Sequence, residues 1–359
     1  MSRLGQADLP ALARGCALFG AGGGGDVGTA LLAAGRAVRE CGDVPVTRLA
    51  DLDGDAVVLP LSGVGSPTLA QELLPSAEQP LRLRDEAERA LGRPVAAVMP
   101  SEIGGANGVD AVGWAARLGV PLVDADGMGR AFPEVQMVAM YVAGRPVGVV
   151  LVCDVVGNTS TLRPVDGLWS ERLVRALCVA GGGHALMADY ILPAREARGA
   201  VIEGSVTRAL VVGRSIEGAA DPLAAVTTAL GARTLLLTGK VTDVERRTGD
   251  GFVRGSVLVE GVAGDRGRQL RVEVQNENLV AFEDGHVLAS VPDLISVVDA
   301  DSAGAISTES LRYGYRVSVL AWPCHPLWRT ARGLAVAGPR ALGYDLDYVP
   351  VEEVRPDHA

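Results

Sequence analysis

Apolar residues recur at helical spacing over residues 9–19 and again over 27–40, so the chain opens with two helices. Between them runs Gly20-Ala21-Gly22-Gly23-Gly24-Gly25-Asp26, with Asp26 placed to cap the second helix. Three strand–helix units follow. Residues 55–61, 94–99 and 120–123 are continuous apolar runs, the pattern of strands buried on both faces. Each empties into a glycine-rich polar loop. The first is Ser62-Gly63-Val64-Gly65-Ser66-Pro67, before a helix from Thr68; the second runs from Ser101 to Asn107, before a helix over 109–118. The third is Asp124-Ala125-Asp126-Gly127-Met128-Gly129-Arg130-Ala131-Phe132-Pro133-Glu134. Residues 146–156 read as a further strand, and 171–190 as an amphipathic helix interrupted by Gly181-Gly182-Gly183-His184. From about Ala232 the pattern changes to short β-type runs over 234–244, 251–259, 270–273, 279–282 and 287–290. Turns such as Gly249-Asp250-Gly251 and Asp284-Gly285-His286 separate them, as in hairpins. The expected fold is α/β: an N-terminal domain with a mostly parallel sheet over 1–200, a smaller β-rich domain over 201–320, and a segment, 321–359, returning to the main body.

Open parallel sheets bind ligands beyond the carboxyl ends of their strands, so the three loops predict one shared cleft. In the third loop Asp124 and Asp126 lie two apart, which an extended backbone would turn to the same side. The alternative there is a solvated turn in which Arg130 neutralises a neighbour. The bare N–H groups of Gly23, Gly24 and Gly25 at a helix N-terminus suit an anion or a carbonyl. They form no nucleotide fingerprint, since no strand precedes them and no GK[ST] follows; close packing of backbone on backbone is the competing explanation. His184, beside three glycines, could face the cleft or be an ordinary buried histidine. Farther on, a strand carrying Glu273, Gln275 and Glu277 on one face could present them to the first domain, or could be a solvated edge.

Length and composition narrow the classes. The 359 residues are enough for two domains, and 48% of them are apolar. No apolar run approaches the ~20 residues of a membrane span, and the N-terminus lacks the apolar centre of a secretory signal. A soluble, cytoplasmic protein is expected. A net charge of −10 argues against nucleic acid. The expected partner is a small molecule, with no membrane and with a homo-oligomer left open. Five cysteines without a CxxC pair make neither a disulfide framework nor a zinc ribbon, and reduced, mostly buried thiols are expected. Cys324 and His325 are adjacent, so they point oppositely in an extended chain. Cys178 and His184, six apart, share no helical face. Lys240 is the only lysine. The histidines are too scattered to assert zinc, although clustered carboxylates could hold a divalent metal.

At Gly22 to Asp26, Ser101 to Asn107 and Asp124 to Glu134 the chain resembles the S-methyl thiohydantoin desulfurase-like proteins, often encoded beside hydantoinase genes. The resemblance continues through Gly239-Lys240-Val241-Thr242-Asp243-Val244-Glu245-Arg246-Arg247-Thr248, Gln275-Asn276-Glu277-Asn278-Leu279 and Gly338-Pro339-Arg340 onward to Asp345, and so spans nearly the whole chain. It implies an α/β domain joined to a smaller β-rich swivelling domain. It also implies a substrate related to hydantoin, a small five-membered cyclic amide or thioamide. Hydrolysing an S-methyl thiohydantoin requires water to add at an amidine-like carbon and methanethiolate to leave. One carboxylate must take the water's proton, and another group must stabilise charge on the ring. Asp124, Asp126 and Glu102 are the candidates for base and acid. Gly23, Gly24, Gly25, Asp26, Ser101, Asn107, Arg130 and His184 are the candidates for holding the ring. The competing reading is a non-catalytic partner that binds such a ligand or a hydantoinase subunit; an ATP-using enzyme is disfavoured by the missing P-loop.

Overall fold

The structure, a computed structural model, describes residues 2–354 apart from 67, 68, 70, 71, 73, 232, 233, 250 and 251. Pro67, the helix start expected at Thr68, the turn at Asp250 and Gly251, and the onset at Ala232 lie outside the described residues. The two opening helices are Leu9–Phe19 and Val27–Cys41, and Asp26 caps the second by accepting from the Thr29 N–H.

The first sheet is built around parallel strands. Val44–Thr47, Leu122–Val123, Val95–Pro100 and Val57–Gly65 lie side by side in that order, all parallel. Beyond Val57–Gly65 the sheet continues antiparallel through His184–Ala188, Val150–Asp154 and Thr159–Leu162. Val95–Pro100 leads into helix Ala106–Leu118, whose buried side meets Val27–Cys41. The α/β class is as expected from the pattern, but residues 62–65, expected as a loop, continue strand Val57–Gly65 and pair with residues 184–187, which extends the sheet past the parallel strands.

Residues 171–190 depart from it. The helix runs from Gly167 to Ala180, and His184–Ala188 is a strand lying between Val57–Gly65 and Val150–Asp154. The helical spacing was real but ended at the glycines. Gly182 and Gly183 take φ of 103° and 90°, a left-handed turn that ends the helix and sends the chain back into the sheet.

The second sheet is antiparallel throughout and curls into a half-barrel. Its order is His286–Ser290, Glu277–Glu283, Gln269–Gln275, Phe252–Gly261, Thr234–Gly249, Arg316–Trp322 and Leu294–Asp299. Leu237, Val257, Val272, Ile295 and Val319 fill a core of its own. The strand pictured through Glu273, Gln275 and Glu277 is in fact a reversal. Gln275 ends one strand and pairs with Glu277, which begins the next, while Asn276 turns the corner at φ 56°. Asparagine is among the few residues that tolerate this conformation.

Several hydrogen bonds fasten the two bodies at and just before the glycine run. Ala21 O accepts from Asn278 N at 2.7 Å, Gly22 O from Thr308 N at 2.8 Å, and Leu18 O from Ser296 Oγ at 2.8 Å. Helix Ser205–Ser215 lies against the first helix, with Arg14 Nε donating to Gly213 O. The chain's last part returns as well, Trp328 Nε1 donating to Met128 O at 2.7 Å. Among the described residues no helix is long and apolar enough to cross a membrane.

Candidate active site

Where the strand ends of the first sheet meet the corner at Asn276, a cavity of about 580 Å³ opens, walled by both bodies. Glu102 and Glu277 face it from opposite domains. Glu102 leaves strand Val95–Pro100 just before helix Ala106–Leu118, and Glu277 is put there by the left-handed turn before it. They are 6% and 2% exposed, and each has an Oε2 with no hydrogen-bond partner. Burying two acids side by side is costly unless protons or cations compensate.

Arg130 supplies the cation. Its guanidinium is wholly buried and stacks on Phe132 at 4.6 Å. Nε donates to Ala131 O, and Nη1 to Pro292 O and Asp293 O, each at 2.8 Å, while Nη2 remains unpartnered. Burial lowers its pKa to about 10, opposed first by Glu277 and also by Glu102. It stays charged at neutral pH and is locked in place by carbonyls.

The two carboxyls titrate unlike surface acids. Burial raises Glu277 to about 8, restrained by Arg130 and by the N–H groups of Glu277 itself and Gly24. Burial raises Glu102 well above the ordinary carboxylate range, and the nearby Glu277 charge raises it further. Near neutrality the pair therefore keeps at least one proton, the arrangement that lets one carboxyl act as acid and its neighbour as base.

Asn107 positions Glu102. Its Nδ2 donates to Glu102 Oε1, and its Oδ1 accepts from Gly63 N at 2.7 Å. Both ends of the amide are thus committed to protein, and its part in the site is to orient an acid. His184 closes over Gly63: a Cβ there would lie 3.2 Å from His184 Nε2 and 3.3 Å from Asn107 Oδ1. Burial lowers His184 to about 4, so the imidazole is neutral, and its Nδ1 has no partner.

Glu102, Gly24, Gly25, Asp26, Ser101, Asn107 and His184 all line the cavity. Arg130, expected to hold the ring, does not line it, being wholly buried, and Gly23 stands behind the wall. A Cβ on it would lie 2.5 Å from Glu277 Cδ and 2.8 Å from Cγ, so its bare backbone is the seat for that carboxyl. Gly24 meets Gly104 on the other side, its Cβ position only 2.5 Å from Gly104 O. The run thus packs backbone on backbone, and the Gly24 N–H serves Glu277 in the place expected for a ligand.

Asp124 and Asp126 do not line the cavity, and their assignment as base and acid does not fit this geometry. Asp124 accepts from Thr207 N and Thr207 Oγ1, tying down helix Ser205–Ser215. Asp126 is fully buried, with Oδ2 accepting from the N–H groups of Ile103, Met128 and Gly129. It folds the third loop. The three acids are separated because each is claimed by a different set of donors.

The pattern of residues underrated Glu277 and passed over Asp189 and Asp110, both of which line the cavity. Burial raises each of these aspartates to about 7. For Glu277 the available signal was the Gln-Asn-Glu-Asn corner, polar in a domain of apolar strands. Asp189 carried no motif. Among the described residues no group of three or more His, Cys, Asp or Glu side chains is placed to hold a metal ion. Lys240 lies outside the cavity against Tyr313, and all five cysteines are free, four of them buried.

Two family models match the chain in succession and divide it ahead of strand His184–Ala188, which belongs to the first sheet. The model of the S-Me-THD-like N-terminal domain matches residues 7–164, and that of the S-Me-THD-like C-terminal domain matches 165–351. A search of curated proteins gives no match. The X-ray crystal structure of a structural-genomics target protein from Chromobacterium violaceum superposes with a TM-score of 0.80 at 25% sequence identity. The match covers 98% of this chain and all of that one.

Proposed function

The chain belongs to the S-Me-THD-like family, and on that premise we propose that its cavity hydrolyses the C–S bond of an S-methyl thiohydantoin-like ring, yielding a hydantoin and methanethiol. The observation that carries this reading is the Glu102–Glu277 pair, two buried carboxyls from different domains beside one buried guanidinium. In the singly protonated pair Glu277, next to Arg130, is the carboxylate, and Glu102 holds the proton.

The chemistry then balances on this pair. Glu277 removes a proton from water as its oxygen bonds to the ring carbon bearing sulfur, and Glu102 gives its proton to the ring nitrogen as the C=N bond becomes single. Re-forming the C=O bond breaks the C–S bond, and the proton held on Glu277 leaves with methanethiolate. The hydroxyl proton of the intermediate returns Glu102 to its starting state. Arg130 offsets the negative charge passing through the pair, and water and ring have become methanethiol and hydantoin.

The test is to incubate purified protein with an S-methyl thiohydantoin, following thiol release together with ring absorbance. Wild type is expected to release thiol and form hydantoin in equal amounts. Glu277→Gln and Glu102→Gln, each folded, are expected to lose at least a thousandfold in kcat, of the order that general acid–base catalysis contributes. Ligand binding without thiol release would support the non-catalytic reading instead, and full turnover by either variant would remove the pair from the mechanism.

A further inference from the structure

An S-methyl thiohydantoin ring has eight non-hydrogen atoms. At the roughly 30 Å³ that one water takes in the liquid, they fill about 240 Å³, under half of the approximately 580 Å³ cavity. Much of the rest lies over the sheet. Ser62 pairs with Met187 across strands Val57–Gly65 and His184–Ala188, and Leu61 pairs with Pro100 on the other side, which sets Ser62 next to Ser101. Asp189 comes directly after the end of strand His184–Ala188. All four line the cavity, with Met128 and Val138 adding apolar wall.

Asp189 is 1% exposed, and its Oδ2 has no hydrogen-bond partner. Ser101, 3% exposed, likewise has an unpartnered Oγ. Among the described residues no ion pair reaches Asp189. The arginines that line the cavity have other duties: Arg175 pairs with Glu171, and Arg36 and Arg117 pair with Glu40. A buried carboxyl without a charged partner costs several kcal/mol if ionised, and a cavity that keeps one in its wall is suited to a guest that brings the missing positive charge. Burial raises Asp189 to about 7, so it ionises readily when a cation arrives.

We propose that this part of the cavity receives the substituent on ring carbon 5 and that Asp189 pairs with a basic group at its end. The preferred substrates are then hydantoin-type rings derived from basic amino acids. This inference rests on the ring reading above and extends it to the choice of substrate.

The test is binding, which does not depend on turnover. Titration calorimetry compares two product hydantoins, one with a 4-aminobutyl group at carbon 5 and one with butyl, on wild type and on Asp189→Asn. Wild type is expected to bind the aminobutyl ring at least tenfold more tightly, and Asp189→Asn to lose that preference while binding the butyl ring as before. Equal affinity of wild type for both rings would overturn the assignment while leaving the ring reading intact. A preference that survives in Asp189→Asn would overturn it too. Binding of neither ring would bring down the ring reading and this inference together. The wild-type comparison stands even if the variant fails to fold.

Discussion

Gly23→Ala separates the placing of Glu277 from the stability of the fold. Gly22, Gly24 and Gly25 have positive φ, but Gly23 does not, so its backbone accepts alanine without conformational strain. The nearest obstruction is Glu277, whose Oε1 lies closest to the new Cβ, with Cδ at 2.5 Å and Cγ at 2.8 Å behind it. Bringing Oε1 out to the 3.4 Å of ordinary contact requires the carboxyl to retreat by more than 1 Å. The crowding should cost about 1–2 kcal/mol. A displacement of ~1 Å in a reacting group costs on the order of a hundredfold in rate. The expected result is a modest fall in Tm and a fall of about a hundredfold in kcat for thiol release, with KM changed much less. Gly24→Ala is the control: it meets the Gly104 carbonyl from φ 76°, and should lose stability before anything specific to Glu277 can be read. Wild-type kcat in a folded Gly23→Ala protein would refute the placement of Glu277 at the reacting centre.

Stability should carry the mark of the buried acids. Folding raises Glu277 from 4.5 to about 8, so its contribution is fully present below 4.5 and is lost as pH rises to about 8. Denaturant titrations should show wild type losing stability from pH 5 to 8, and Glu277→Gln losing less by up to ~1.4 kcal/mol per pH unit; equal slopes would mean that Glu277 ionises freely in the fold. Asp126→Asn keeps one oxygen for its three N–H donors and should cost about 1–2 kcal/mol, whereas Asp126→Ala should cost about 3 kcal/mol or more. Turnover per folded molecule should stay within about threefold for Asp126→Asn, and a thousandfold loss in that folded variant would return Asp126 to the chemistry.

Periodicity along the chain determined the parts of this protein that depend on neighbours in sequence. Helical spacing marked the two opening helices, apolar runs marked the buried strands, and Asp26 marked its cap, because backbone and burial preferences act over a few residues. The glycine-rich segments after the strands pointed to the cavity that Glu102, Ser101 and Asn107 line, and the glycines before His184 marked that residue. Tertiary structure decided what each acid does. Asp124, Asp126 and Glu102 were indistinguishable as loop carboxylates until Thr207, the N–H groups of residues 103, 128 and 129, and Asn107 claimed them separately. Glu277 became a partner of Glu102 only when a left-handed Asn276 and the docking of one sheet against residues 21 and 22 brought sequence positions 175 apart to one cavity. Acid strength depends on water, charge and donors within a few ångströms, and in this chain those neighbours come from distant segments.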